Sequence, residues 1–313
     1  MKWGIVSTIK APARDVLNFV AYHLDLGADQ LFIYLDAPNP VAVQALKFHP
    51  KVRVTVCTQA HWKERNGWRP KKHQVRQLFN ATHAYQRAQK LEWLAHIDVD
   101  EFIFPSNYLR GTLNNIPTNI PTARMRPIEA LAGAQDLYKA LMPSGQNRND
   151  VVDTLYPEFG RYLKGGFLSH TGGKIFLRTS LPELKFGIHF ASRGDDRVTE
   201  TSELRDVSLC HRHVTSWENW RAHFDYRHKK GSYRADLTPA RVAETASTNL
   251  HQMLTNLITE EGEDGLKRFF DEVCAATPEH LEKLKAQNLL RHCPLDLDAK
   301  RAKHFPEHAD IVA

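Results

Sequence analysis

The chain lacks most of the signatures that would place it at a glance. Its four cysteines, Cys57, Cys210, Cys274 and Cys293, are far apart and form no C-x-x-C pair. That argues against a zinc ribbon or a disulfide framework and leaves reduced, intracellular thiols as the simplest account. There is no G-x-G-x-x-G and no G-x-x-x-x-G-K-[ST], so the dinucleotide and P-loop readings lose their main support. No apolar stretch approaches the roughly 20 residues that cross a bilayer, and no internal repeat is visible. Met1-Lys-Trp-Gly-Ile-Val6 runs straight into a strand-like pattern without a signal-peptide layout. The expected location is cytoplasmic, with peripheral membrane association left open.

What is present is ordinary in bulk. The 313 residues suffice for one large or two smaller domains, with 42% hydrophobic and 25% charged side chains. A net charge of +6, with 17 histidines in reserve, favours anionic partners without choosing among a nucleotide, an acidic polymer and an anionic membrane.

The informative stretch is Leu91-Glu-Trp-Leu-Ala-His-Ile-Asp-Val-Asp-Glu-Phe-Ile-Phe104. An apolar run stops at Asp98, Asp100 and Glu101, as a buried α/β strand does where function sits at its carboxyl end. If strand geometry persists, Asp98 and Asp100 project to the same side. Two such carboxylates repel unless a cation lies between them, and Mg2+ or Mn2+ suits oxygen donors of this kind. A solvated acidic turn closing an ordinary strand is the plainer alternative.

Three strands precede it: Trp3 to Ile9, Leu31 to Asp36 and Val52 to Cys57. A helix opening near Pro12 and another from Lys71 to Lys90 alternate with them. The pattern predicts an α/β fold with a doubly wound sheet. Thr122 to Arg126, Lys174 to Arg178, Phe186 to Phe190 and Val207 to His213 are further strand candidates, the last with His211 and His213 on one face. Residues 134–166 dissolve into Pro, Gly, Asn and Asp and read as a loop or lid insertion. Trp217, Trp220 and Phe224 share a helix face among basic residues, either packing inward or meeting a diphosphate or membrane surface. Helices follow, one starting at Thr277-Pro-Glu, and the tail beyond Cys293 reads as loosely ordered.

Taken together, the segments Phe19-Val-Ala-Tyr-His-Leu-Asp-Leu-Gly-Ala-Asp29, Phe32-Ile-Tyr-Leu-Asp36, Gln74 to Asn80 and Ile97-Asp-Val-Asp-Glu-Phe102 resemble glycosyltransferase family 2, in its bacterial branch close to the family 92 type. Lys174 to Arg178, His189, Leu209-Cys-His211, Ser216-Trp-Glu218 and Lys230-Gly231 follow in the same order. The resemblance covers roughly residues 3–231. It implies a GT-A-type, Rossmann-like mixed sheet flanked by helices in a domain of residues 1–231, with a helical extension at 232–313. It also implies transfer of a sugar from a nucleotide-sugar donor, a UDP-sugar in the first place, to a hydroxyl of a saccharide or lipid-linked acceptor. Inversion, and a role in cell-surface polysaccharide synthesis, belong to the same implication; a nucleic-acid partner does not.

Carried onto this chain, the resemblance gives Asp36, Gln74 and Asp98 to the donor and Asp100 to a Mn2+ or Mg2+ ion. His211 would be the C-terminal metal contact. Arg212 stands where the family has an aromatic residue, so His213 is a rival. Lys174 and Arg178 would help to stabilise the departing diphosphate. Glu129 is the expected base for the acceptor hydroxyl, with Asp153 and Asp195 competing. Two other classes fit parts of the pattern. A haloacid dehalogenase-type phosphatase would use Asp98 as nucleophile, but Phe102 stands where that class has Thr or Val, and its D-x-D opens the sheet. A basic nucleic-acid-binding protein would account for the charge but not for Asp98 and Asp100.

Overall fold

The computed structural model describes residues 1–181, 183–241 and 248–311. In chain order it contains β1 (Trp3–Ile9), α1 (Ala13–Asp25), β2 (Gln30–Leu35), α2 (Pro40–Leu46), β3 (Val52–Val56), α3 (Gln59–Asn66), α4 (His73–Arg87), β4 (Trp93–His96), β5 (Glu101–Pro105), α5 (Leu109–Asn114) and β6 (Thr122–Ala130). There follow β7 (Leu137–Ala140), α6 (Arg148–Leu155), β8 (Lys174–Arg178), β9 (Leu184–Phe186), β10 (Ala191–Arg193), β11 (Asp196–Arg197) and β12 (Thr201–His211). The last are α7 (Trp217–Lys230), α8 (Leu250–Val273), α9 (Pro278–Ala286), β13 (Leu290–His292) and α10 (Leu297–His304). The fold is mixed α/β and Rossmann-like, with helices flanking the sheet strands. It divides into two compact units: Met1–Arg126, Gly172–Leu209 and Leu295–Ala313 form the first, and Pro127–Thr171 and Cys210–Pro294 the second.

In the first unit β4, β1, β2 and β3 lie side by side and parallel. Their apolar residues (Ile5, Val6, Leu31, Ile33, Leu94, Ala95) are fully buried, as expected of strands covered on both faces. β8 adds antiparallel to β4, and the start of β6 adds antiparallel to β8. Direction matters here. The carboxyl ends of β1, β2 and β4 define one edge, and the antiparallel β8 brings its amino end, Lys174, to that same edge.

The N-terminal helix is closed over by the last one. Arg301 on α10 is buried and donates to Asn18 of α1, to Asp298 at 2.6 Å and to the Ala309 carbonyl at 2.8 Å. The tail expected to be loosely ordered is therefore a packed element, its signal being Leu297 and Arg301 one turn apart. Arg301→Ala would strip the bond from buried Asn18, which cannot regain water, along with those to Asp298 and Ala309, and should cost about 1–3 kcal/mol. The check is urea unfolding by circular dichroism, where an unchanged midpoint would deny the helix that anchoring role.

In the second unit β13, β7 and the end of β6 pair antiparallel. Its core contains Val152, Leu155, Tyr156 and Phe159 together with Trp220, Phe224, Phe269 and Phe270. Residues 134–166, expected as a loop or lid, thus contain β7 and α6 and bury an i, i+3, i+4, i+7 apolar stripe. The Pro, Gly and Asn residues punctuate this segment without dissolving it. On α7, Trp220 and Phe224 pack inward while Arg221 meets Glu263, which is the packing alternative for that helix. Thr277 caps α9 by accepting the His280 amide, as its position before Pro278 predicts.

Candidate active site

The edge of the first unit gathers the carboxylates. β2 ends at Leu35, so Asp36 stands just past it, with its side chain fully enclosed. Arg69 donates to its Oδ1 at 2.9 Å and Arg76 to its Oδ2 at 2.7 Å, and the His73 ring lies 3.6 Å from Oδ2. Burial alone would raise the pKa of Asp36. The bonds from His73, Arg69 and Arg76 outweigh it and hold the carboxyl at about 2. Arg76 also donates to the carbonyls of Pro70 and Lys71, tying the α3–α4 loop to this carboxylate.

The next residue on α4 serves the end of β4, on the far side of β1. Gln77 donates its amide to Asp98 Oδ1, and Lys174 donates to Asp98 Oδ2 at 2.7 Å. Gln74, the residue expected at the donor, is exposed, and the contact falls one turn further along the helix. β4 stops at His96, and residues 98–101 form a tight turn in which the Glu101 amide donates to the Asp98 carbonyl at 3.1 Å. The strand geometry that would have aligned Asp98 with Asp100 does not persist. The Glu101 carboxylate folds back to accept the Asp98 amide at 2.8 Å and lies 3.6 Å from Lys174.

The cation between carboxylates is thus the chain's own ammonium. Lys174 and Glu101 are both fully buried. Burial would lower the lysine's pKa, but the charges of Asp98 and Glu101, with Asp100 adding to them, raise it. Gly173 makes the approach possible, because its positive φ of 71° is left-handed and a Cβ there would run into the Met125 carbonyl. His96 is buried beside this group with neither ring nitrogen hydrogen-bonded among the described residues. Burial, then the charge of Lys174, lowers its pKa to about 4 and keeps it neutral. Arg178 sits at the other end of β8, level with Trp93, and donates to the carbonyls of Ile120, Ile116 and Pro117. It is not among the groups around Asp98.

At the same edge a cavity of about 260 Å³ opens where β1 and β2 end, lined by Ile9, Ala11, Pro12, Leu35 and Pro38, with Lys10 and Asn39 as its polar contributors. Asp195, one of the expected bases, is exposed in the β10–β11 turn of this unit.

The remaining expected residues belong to the second unit. Glu129 is buried on β6. Its oxygens accept the amides of Leu168 at 3.2 Å and Ser169 at 2.6 Å, with Lys139 3.5 Å away. Asp153 on α6 is clasped by both terminal nitrogens of Arg241. His211 closes β12, 3.2 Å from the Ser169 hydroxyl, with its ring 5.3 Å from that of His170. His213 lies beyond the strand end, so strand alternation does not relate the two rings. It is 3.3 Å from the Tyr233 hydroxyl, and burial above all drives its pKa well down. Gln77, His96, Arg69 and Arg76 were not anticipated as site residues, and Glu101, named with the acidic cluster, was given no role. Helical spacing from Gln74 points to Gln77, and Glu101 stands beside Asp100 in the sequence.

Comparison with known proteins adds little to this picture. No family model and no curated protein matches the chain. Among solved structures, HddC from Yersinia pseudotuberculosis is 10% identical over 72% of this chain and 99% of its own, with a TM-score of 0.36. Mannose-1-phosphate geranyltransferase from Thermus thermophilus is 9% identical over 57% of this chain and 58% of its own, at 0.31. A197 from STIV is 10% identical over 67% and 85%, also at 0.31. Likeness at this level carries no argument about chemistry, which rests on the residues themselves.

Proposed function

We propose that the protein is a metal-dependent glycosyltransferase of the family 2 kind, whose first unit binds the nucleotide-sugar donor. One observation carries the reading. Consecutive residues of a single helix, Arg76 and Gln77, hold the carboxylates at the ends of two parallel strands, Asp36 and Asp98, at the edge where α/β sheets bind ligands. The cavity at that edge has apolar walls suited to a base, with Lys10 beside it. Arg69, half exposed over Asp36, offers the planar fork that phosphates take.

The divalent cation belongs to the same proposal. Lys174 offsets one of the two charges of Asp98 and Glu101, so with Asp100 beside them the cluster stays net negative, which favours a cation. Asp100, half-buried in the same turn, is the oxygen donor that fits Mn2+ or Mg2+. His211 and His213 stand as the imidazole candidates of the second unit. When bound, the ion supplies Lewis-acid stabilisation to the departing diphosphate. Glu129, Asp153 and Asp195 remain the proposed acceptor-side carboxylates, with inversion following from an in-line base.

Calorimetric titration with UDP, GDP, CDP and dTDP, each with Mn2+ or with EDTA, tests the proposal on wild type and on Asp100→Ala. One diphosphate should bind only with the ion, and Asp100→Ala should weaken it at least tenfold. Absence of binding by all four would overturn the reading and bring forward the phosphatase that uses Asp98.

A further inference from the structure

The α3–α4 loop of the first unit carries a feature that donor binding does not use. Trp68 is 61% exposed, whereas Trp3, Trp62, Trp93 and Trp220 are at most 1% exposed. Lys63, Arg65, Lys71 and Lys72, all exposed, flank it in the sequence, with Glu64 as the one carboxylate in the stretch. The loop is fixed rather than pendulous. Asn66 donates to the Trp68 carbonyl at 3.0 Å, Pro70 is buried, and Arg76 grips the carbonyls of Pro70 and Lys71 at 2.8 Å each. Water therefore meets a large indole on a tethered backbone, with Lys63 before it and Lys71 and Lys72 after it in the sequence, while Arg65 lies 3.6 Å from Glu64.

We infer that this loop is a membrane-surface anchor for anionic phospholipid. An indole with one apolar body and one N–H belongs at the headgroup level, and lysines beside it reach phosphates while their stems lie along the apolar layer. The charge complements an anionic leaflet. A single exposed aromatic in one short loop suits a planar surface met at a point, whereas a polymer track needs cations spread along a groove. The neighbouring residue, Arg69, bonds Asp36, so the anchored loop is also a wall of the site at the sheet edge. The inference stands apart from the donor assignment, since it uses no residue of the cavity.

The full chain would be mixed with vesicles of phosphatidylcholine alone, or with an equal part of phosphatidylglycerol, some carrying brominated acyl chains. Sedimentation with the anionic vesicles, together with quenching by bromine, is the expected result. Trp68→Ala should remove the quenching and weaken partitioning roughly tenfold, and Lys71→Glu with Lys72→Glu should weaken it at least fivefold per residue. All three side chains are exposed, and retained far-ultraviolet circular dichroism confirms folding of the variants. Equal binding to both vesicle types, quenching that survives Trp68→Ala, or binding to heparin but not to vesicles would each overturn the assignment.

Discussion

Replacing Lys174 by methionine is expected to cost about 3–5 kcal/mol of stability, the usual penalty for leaving one side of a buried ion pair uncompensated. The ammonium is fully enclosed, 2.7 Å from Asp98 and 3.6 Å from Glu101, so its removal leaves the two carboxylates facing each other across an apolar side chain. The sign of the pH effect is fixed. In the native protein burial works against the charged lysine, but the two carboxylates prevail and raise its pKa. Its stabilising contribution is therefore complete below the ordinary lysine range and is lost only as the pH climbs through the raised value. In Lys174→Met the uncompensated charge is that of the carboxylates, so the deficit should be largest near pH 7, where carboxylates are ionised, and shrink with acid. Urea unfolding of both proteins at pH 7 and pH 5 is the check. A deficit that does not shrink with acid would mean that lost packing, not charge, explains the variant.

Glu129→Ala should be about as damaging, again about 3–5 kcal/mol, but with a local signature. The substitution orphans the amides of Leu168 and Ser169 and leaves Lys139, itself only 2% exposed, with the Val273 carbonyl at 2.8 Å and the face of Tyr156. Glu129→Gln, which still offers one acceptor, should fall between wild type and alanine. Hydrogen exchange read by mass spectrometry should show faster exchange at residues 168–169 in the alanine variant. Unchanged exchange there would show that the carboxylate does not hold this segment, which leads into His170.

The parallel strands were legible because Trp3 to Ile9, Leu31 to Leu35 and Trp93 to His96 are largely apolar and Val52 to Val56 is rich in β-branched residues, and the ends of the second and third of these exposed Asp36 and Asp98 as candidates. What lay beyond pattern was long-range register. Nothing local in Lys174 says that β8 returns antiparallel to β4 and delivers an ammonium to Asp98. The turn at 98–101 was hidden for a different reason. The apolar residues either side of it suggest one strand, and only the backbone bond from Glu101 to Asp98 reveals a reversal. Gln77 was missed by one helical turn. The stripe Val152, Leu155, Tyr156, Phe159 was readable all along, but the surrounding Gly, Pro and Asn drew the reading towards loop. Histidines were the least legible class, because a buried neutral ring such as His96 looks the same in sequence as a ligand.

The clasp of Arg301 on Asn18 joins residues 283 apart in the chain, and that span sets a timetable for biosynthesis. A ribosome adding about 5–20 residues per second needs roughly 15–60 s to pass from one to the other. Throughout that interval the face of α1 that α10 will cover stands bare. The first unit to begin emerging is thus among the last to be finished, and chains halted before residue 295 would present this uncovered helix to chaperones and proteases.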